Sequence, residues 1–355
     1  MKRSREPLFQ HLPAELIIKI YKSMNDIEDI KATLSTCRRA KAIFDAHASA
    51  IAKSHLLRKI HPSNLKLMVM AVASRDVDPE DPVSIERFFH KYIWHAADDV
   101  WPNSYFTMDM VALLPVFAGA AEQVWECAGA NCFRRPFYFE QSPTEDARKL
   151  RVCLMIETAT NLFYRAPGKD GVIFWRCPNA EWADRYWDAF SRVEVDMVVE
   201  VADFVAHVLL NSTGALPVKT TFRRRDFRQA LWKFAFTIGL ETLYRWHQVE
   251  PYSMPSLIED TWESIPDGES METPLDDATR CLENKTGLQP RFQPDPDAID
   301  EEAWQFIKRE GVRKFGNLIA QVPEQTMMSF WDKAALMKFC EAMRSYFLLG
   351  YLIPT

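Results

Sequence analysis

Between Leu8 and Phe44 the chain crowds three short patterns of apolar residues at helical spacing into one stretch. Leu12-Pro13 opens the first. Proline suits the first helical position, because its missing N–H would have no partner there and its φ is already helical. Leu16, Ile17, Ile20 and Met24 follow on one face. Asn25-Asp26 breaks the pattern. Asp26 is placed to cap a second helix, with Asp29 near that helix's positive end and Ile27, Ile30 and Leu34 as its stripe. Ile43, Phe44 and Ile51 mark the third. Helices this short are marginal alone, so they must pack on one another and on something else. Leu8, Leu12, Pro13, Leu16 and Ile20 exceed what so small a bundle buries. That face either packs on the rest of the chain or receives a partner.

The residues also carry a family likeness. Leu12-Pro-Ala-Glu-Leu-Ile-x-x-Ile20, then Ile27-Glu-Asp-Ile30, then Leu34-Ser-Thr-Cys-Arg-Arg39 resemble an F-box, in the variant common in filamentous fungi. The likeness covers residues 8–50 of 355. The F-box is a three-helix motif that docks on the Skp adaptor of cullin–RING ubiquitin ligases. The resemblance implies adaptor-binding positions at Leu12, Pro13, Leu16, Ile20, Ile27 and Ile30, with Leu8 beside them. One position departs from the pattern. Where the family usually carries Trp or Leu after the basic pair, this chain has Ala40.

Beyond the bundle the expectation is a mainly all-α fold. Only 11 Gly in 355 residues argue against an all-β sandwich or barrel, while 11 Trp and 23 Phe supply large aromatics for a core. Helical patterns run from Lys53 to His61, where Pro62 stops the helix. They return over Leu65–Val72 and after Arg75–Pro82, with Ser84 as a candidate cap. They continue over Thr107–Val124 around Pro115, from Ser142 onward, over Asn179–Asn211 (one helix or two run together) and over Arg225–His247. The last two fill Ile299–Gln321 and Glu324–Leu352. Phe137-Tyr138-Phe139 and Gly171–Cys177 allow one minor short β-hairpin. The expected organisation is a disordered N-terminus at 1–7, an F-box-like domain at 8–52 and a large irregular helical domain at 53–355. The last domain contains an acidic, Pro-rich excursion at about 250–299, part of it mobile. No internal repeat suggests a recognition array.

Charge is uneven. Pro255–Glu302 holds fourteen Asp or Glu against three Lys or Arg, so a net charge of −6 leaves the remainder mildly basic. Neither part has the dense basic footprint of a nucleic-acid binder, so no nucleic-acid partner is expected. Arg223-Arg224-Arg225 is the one compact basic cluster and reads as a solvated helix start. The longest apolar run, Val111–Ala121, is far short of the roughly 18–20 residues of a membrane span, so no membrane partner is expected. The opening MKRSREPLF lacks a signal peptide's apolar run, and seven Cys at irregular spacing read as free thiols. A cytoplasmic or nuclear location follows from that reading.

The chain offers little for chemistry. Cys127-x4-Cys132 lacks the second ligand pair that zinc requires, so no metal or other cofactor is expected. His90 and His95 are five apart with no Glu between them, which is not a zincin pattern. Nucleophile elbows and phosphate-cradling glycine loops are absent from the sequence. Ser142-Pro143 and Thr273-Pro274 match a common phosphorylation pattern. No catalytic residue is assigned. The resemblance implies a non-catalytic substrate receptor that binds the Skp adaptor, and through it cullin, and presents an unidentified target protein. The alternative is a scaffold protein whose F-box is degenerate.

Overall fold

Short polar residues start the helices where the chain needs them. Asp26 accepts a hydrogen bond from the Glu28 N–H at 3.0 Å, and Ser142 and Glu145 form a reciprocal capping box. A computed structural model of the chain describes residues 9, 11–95, 101–129, 142–164, 180–199, 201, 239, 244 and 291–292. The described part is mainly all-α, with no strand. Its helices are α1 Ala14–Ser23, α2 Ile27–Thr36, α3 Arg38–Lys59, α4 Leu65–Ala73, α5 Pro82–Phe88, α6 Met108–Gly129, α7 Pro143–Ala159, α8 Ala180–Trp187 and α9 at 192–199. α5 and α7 each run on into a π-helical turn, Phe89–Ile93 and Thr160–Tyr164.

Two apolar cores divide these elements. The smaller collects Ile17 and Tyr21 of α1, Ile30 of α2, and Ala40, Phe44 and Ile51 of α3. The larger begins with Ala52 and Leu56 of the same α3 and Ile60 just past its end, and continues through α4 to α9. The change of core falls between Ile51 and Ala52. It does not coincide with a break in the backbone, because α3 is one 22-residue helix. This helix packs on α1, α2 and α6. Met108 of α6 touches both cores.

Buried polar groups lock the large core. Arg151 of α7 donates to Glu194 of α9 and to the Ser63 carbonyl, the latter at 3.0 Å. Both side chains of that ion pair are almost fully buried. The other carboxylate oxygen of Glu194 accepts from the Ser191 N–H and hydroxyl, which caps α9. Asn64 donates to the Ala147 carbonyl at 2.7 Å. α7 is thus joined to the turn before α4 and to α9 by bonds that replace water with fixed partners.

Several expectations need revision. Asp81, not Ser84, caps α5: its carboxylate accepts from the N–H groups of Val83 and Ser84, and Pro82 holds the first turn. Of the alternatives at 179–211, one helix or two run together, the described part takes the second: α8 ends at Trp187 and Ser191 caps α9. Gly239 sits at φ 80° outside a helix, so the pattern at 225–247 is not one continuous helix. Within the acidic excursion, the N–H groups of Arg291 and Phe292 donate to the Ala189 carbonyl, and the Phe292 ring stacks on Phe190 at 4.8 Å. That point of the excursion is part of the large core. The N-terminus at 1–7, Leu8, the hairpin strands, Cys132 and Cys177, Arg223–Arg225, Thr273, most of the acidic excursion and the two C-terminal helix patterns lie outside the described residues.

Candidate docking face

α1 is an amphipathic ten-residue helix, and its register decides which apolar residues face inward. Pro13 is extended (φ −54°, ψ 147°), and its carbonyl accepts from the N–H groups of Leu16 and Ile17. The helix therefore begins at Ala14, one residue later than the sequence pattern suggests. Ile17 and Tyr21 point into the small core, where the Tyr21 ring meets Phe44 edge-on at 5.2 Å. A residue one position from Ile17 is turned about 100° away. Leu16 is accordingly 43% exposed, one of four large apolar side chains so exposed among the described residues. Pro13 is exposed too, while Leu12 and Ile20 are half-buried at the margin of the same helix. Leu16 and Ile20, one helical turn apart, lie on a common side.

The candidate residues thus separate. Leu16 and Ile20 lie on α1 itself, Pro13 is its exposed N-cap, and Leu12 just before it packs against the small core. Ile27 is half-buried at the start of α2. Ile30 is only 1% exposed and belongs to the bundle's own core, so its side chain is not offered at this surface. The resemblance puts Ile30 with the docking residues; its burial in the small core puts it inside.

Ala40 acquires a different meaning from a missing anchor. It is fully buried on the face of α3 that meets α1. A side chain with no atom beyond Cβ lets the two helices approach closely, and Tyr21 and Phe44 supply the aromatic bulk of this core. The basic pair before it is exposed, and the Arg39 guanidinium donates to the Phe9 carbonyl at 3.2 Å, tying the approach to α1 onto α3.

Two residues that the sequence patterns did not single out hold the far end of α1. His55 Nε2 lies 2.7 Å from the Tyr21 carbonyl, and Arg58 donates to the Met24 carbonyl at 2.8 Å. Arg58 also donates to His55 Nδ1 at 3.1 Å. With Nδ1 accepting, the imidazole carries its proton on Nε2 and donates it to Tyr21. Burial first, then Arg58 and Lys59, hold the His55 pKa below its ordinary 6.5, against the opposing pull of the carbonyl bond. Their signal in the sequence is weak: a His and an Arg three apart in a helix, thirty-four residues from the groups they serve.

Elsewhere the π-helical turn at Phe89–Ile93 brings His90 and His95 together, with ring centroids 5.7 Å apart, because the wider turn puts residues five apart on one side. Among the described residues no group of three or more His, Cys, Asp or Glu is arranged to hold a metal ion, and no helix is long and apolar enough to cross a membrane. Cys153 is buried, and desolvation drives its thiol far above the ordinary range, so it is unreactive. Comparison of the chain with protein-family models, with curated proteins and with solved structures gives no match.

Proposed function

We propose that the chain is a non-catalytic substrate receptor of a Skp–cullin–F-box ubiquitin ligase. In this reading the outward side of α1 docks on the Skp adaptor and thereby on cullin, and the helical body holds a target protein near the ubiquitin-conjugating enzyme. The work is done by proximity, which replaces a dilute target with a tethered one. Such ligases act in the cytoplasm and nucleus, which is where the reading places the chain. The observation that carries it is Leu16: an apolar side chain 43% exposed on a helix whose core contacts are already filled by Ile17 and Tyr21. It supports a surface built to be covered by another apolar surface.

The second reading is an interaction protein with a degenerate F-box that binds partners outside a ligase. Ile30 favours it, since burial withdraws one of the residues the resemblance assigns to the adaptor. Affinity purification of the full chain beside its Leu16→Asp form, with mass spectrometry of the bound proteins, separates the two. The receptor reading expects the Skp adaptor and cullin with the wild type and their loss from the variant, with target proteins retained. Recovery of neither ligase subunit with the wild type contradicts it, and recovery of the adaptor without cullin favours the second reading.

A further inference from the structure

α1 cannot hold its own position. Ten residues form a helix too short to persist alone, and Pro13 provides no side-chain cap. At the other end Met24 leaves the helix in extended backbone (φ −61°, ψ 141°), without the left-handed glycine that commonly satisfies the last carbonyls. The Ile20 carbonyl accepts from the Met24 N–H and the Ser23 hydroxyl, and two further carbonyls are satisfied from α3. His55 takes Tyr21 O and Arg58 takes Met24 O, and the Arg58 charge complements the negative end of the α1 dipole. The bond between Arg58 and His55 Nδ1 makes the two donors one unit. They sit where α3 has already entered the large core, flanked by Ala52, Leu56 and Ile60. The end of α1 is therefore referenced to the body rather than only to the small bundle.

We propose that His55 and Arg58 are positioning residues for the outward face of α1, forming a two-donor latch that fixes the attitude of Leu16 and Ile20 relative to the body. Its consequence for docking rests on the adaptor-binding reading; the latch itself does not. A docked adaptor would then see the body in one orientation, and loss of the latch would leave α1 folded against Phe44 but free to rock at its C-terminal end.

The test uses the full chain as wild type, His55→Gln, His55→Leu and Arg58→Met. Gln keeps an N–H donor near the position of Nε2 and serves as the conservative rescue. Arg58 is exposed, so its replacement leaves both cores intact. Amide hydrogen exchange over α1 and titration with purified Skp adaptor are measured on each, with a thermal melt as the folding control. The latch predicts that Arg58→Met speeds exchange in α1 by about tenfold or more over that in α6, and that His55→Leu does the same while His55→Gln stays near wild type. With adaptor, the two latch-breaking variants bind about tenfold more weakly and His55→Gln does not. Unchanged α1 exchange in Arg58→Met overturns the latch. Faster exchange with unchanged adaptor affinity overturns its positioning role. Wild type that binds no adaptor overturns the docking reading alone, because the exchange result still decides the latch.

Discussion

Ala40 shows how one small side chain can reverse the meaning of a pattern. By resemblance its place belongs to Trp or Leu, and restoring Leu would be expected to strengthen the motif. In the structure the site is fully buried between α1 and α3. Extra methyl groups at a fully buried site press on packed neighbours, and overpacking costs about 1–3 kcal/mol. Ala40→Leu is therefore expected to lower the denaturant midpoint with an unchanged slope. His55 gives a second prediction at this scale. Its folded pKa is lowered, so the unfolded chain binds the proton more readily. The His55 contribution to stability is complete above the unfolded pKa, near 6.5, and is lost as pH falls from there through the lowered folded value. Carboxylates titrate further down, so the comparison of interest is with His55→Gln. Urea midpoints should fall more steeply for wild type than for this variant between pH 7.5 and about 5.5. Parallel curves would mean that His55 is not the group responsible.

At the scale of elements, magnitudes separate the ion pairs that matter from those that do not. Arg185 and Glu181 lie on the exposed side of α8, with side chains 49% and 76% exposed. Such pairs are worth about 0–1 kcal/mol. Arg151 and Glu194 are buried, and Glu194 also caps α9. Removing one partner strands the other charge, at a cost of about 3–5 kcal/mol. Calorimetric melts of Glu194→Ala and Glu181→Ala should differ by at least that order. Gly239 is a further element-scale constraint. It lies at φ 80°, and a Cβ there would come within 2.9 Å of the Glu157 carboxylate. The left-handed conformation alone costs an L-residue about 1–2 kcal/mol, so Gly239→Ala should destabilise the chain by at least that much in a chemical melt.

Much at this scale was legible in the sequence and some was not, for identifiable reasons. Asp26 and Ser142 announce helix starts because a cap is a local bond, readable from neighbours. The stop before Pro62 is equally local. The helical continuation from Lys53 is legible too; what the sequence hides is that the apolar residues of α3 serve two cores in succession. Leu16 and Ile17 both fall on the apolar side of α1; only the placement of α3 decides that Ile17 goes in and Leu16 stays out. Ile30, which the resemblance assigns to the adaptor, is drawn into the small core, as the apolar stripe of α2 allows equally. The latch at His55 and Arg58 could not be read at all, because its acceptors are backbone carbonyls, which every residue carries.

At the scale of the whole molecule, α3 is a strut common to two cores. Packing passes from the small core to the large one between Ile51 and Ala52, without a hinge in the backbone. Met108 touches both sides of that division. In the proposed receptor this matters for geometry: a target held by the body stays in a set relation to whatever covers α1. The acidic excursion is tied to the same body at Arg291 and Phe292, through the Ala189 carbonyl and the Phe190 ring.

The central claim is that the outward side of α1 is a docking surface for the Skp adaptor, and a calorimetric titration of purified full-length chain with purified adaptor tests it most directly. Leu16→Asp is compared with Val83→Asp, a control on α5 at a site 57% exposed. The account predicts binding by the wild type, unchanged affinity for Val83→Asp, and a loss of at least about thirtyfold for Leu16→Asp with no change in melting temperature. Equal affinity of the wild type and Leu16→Asp for the adaptor, or no binding by either, would contradict it.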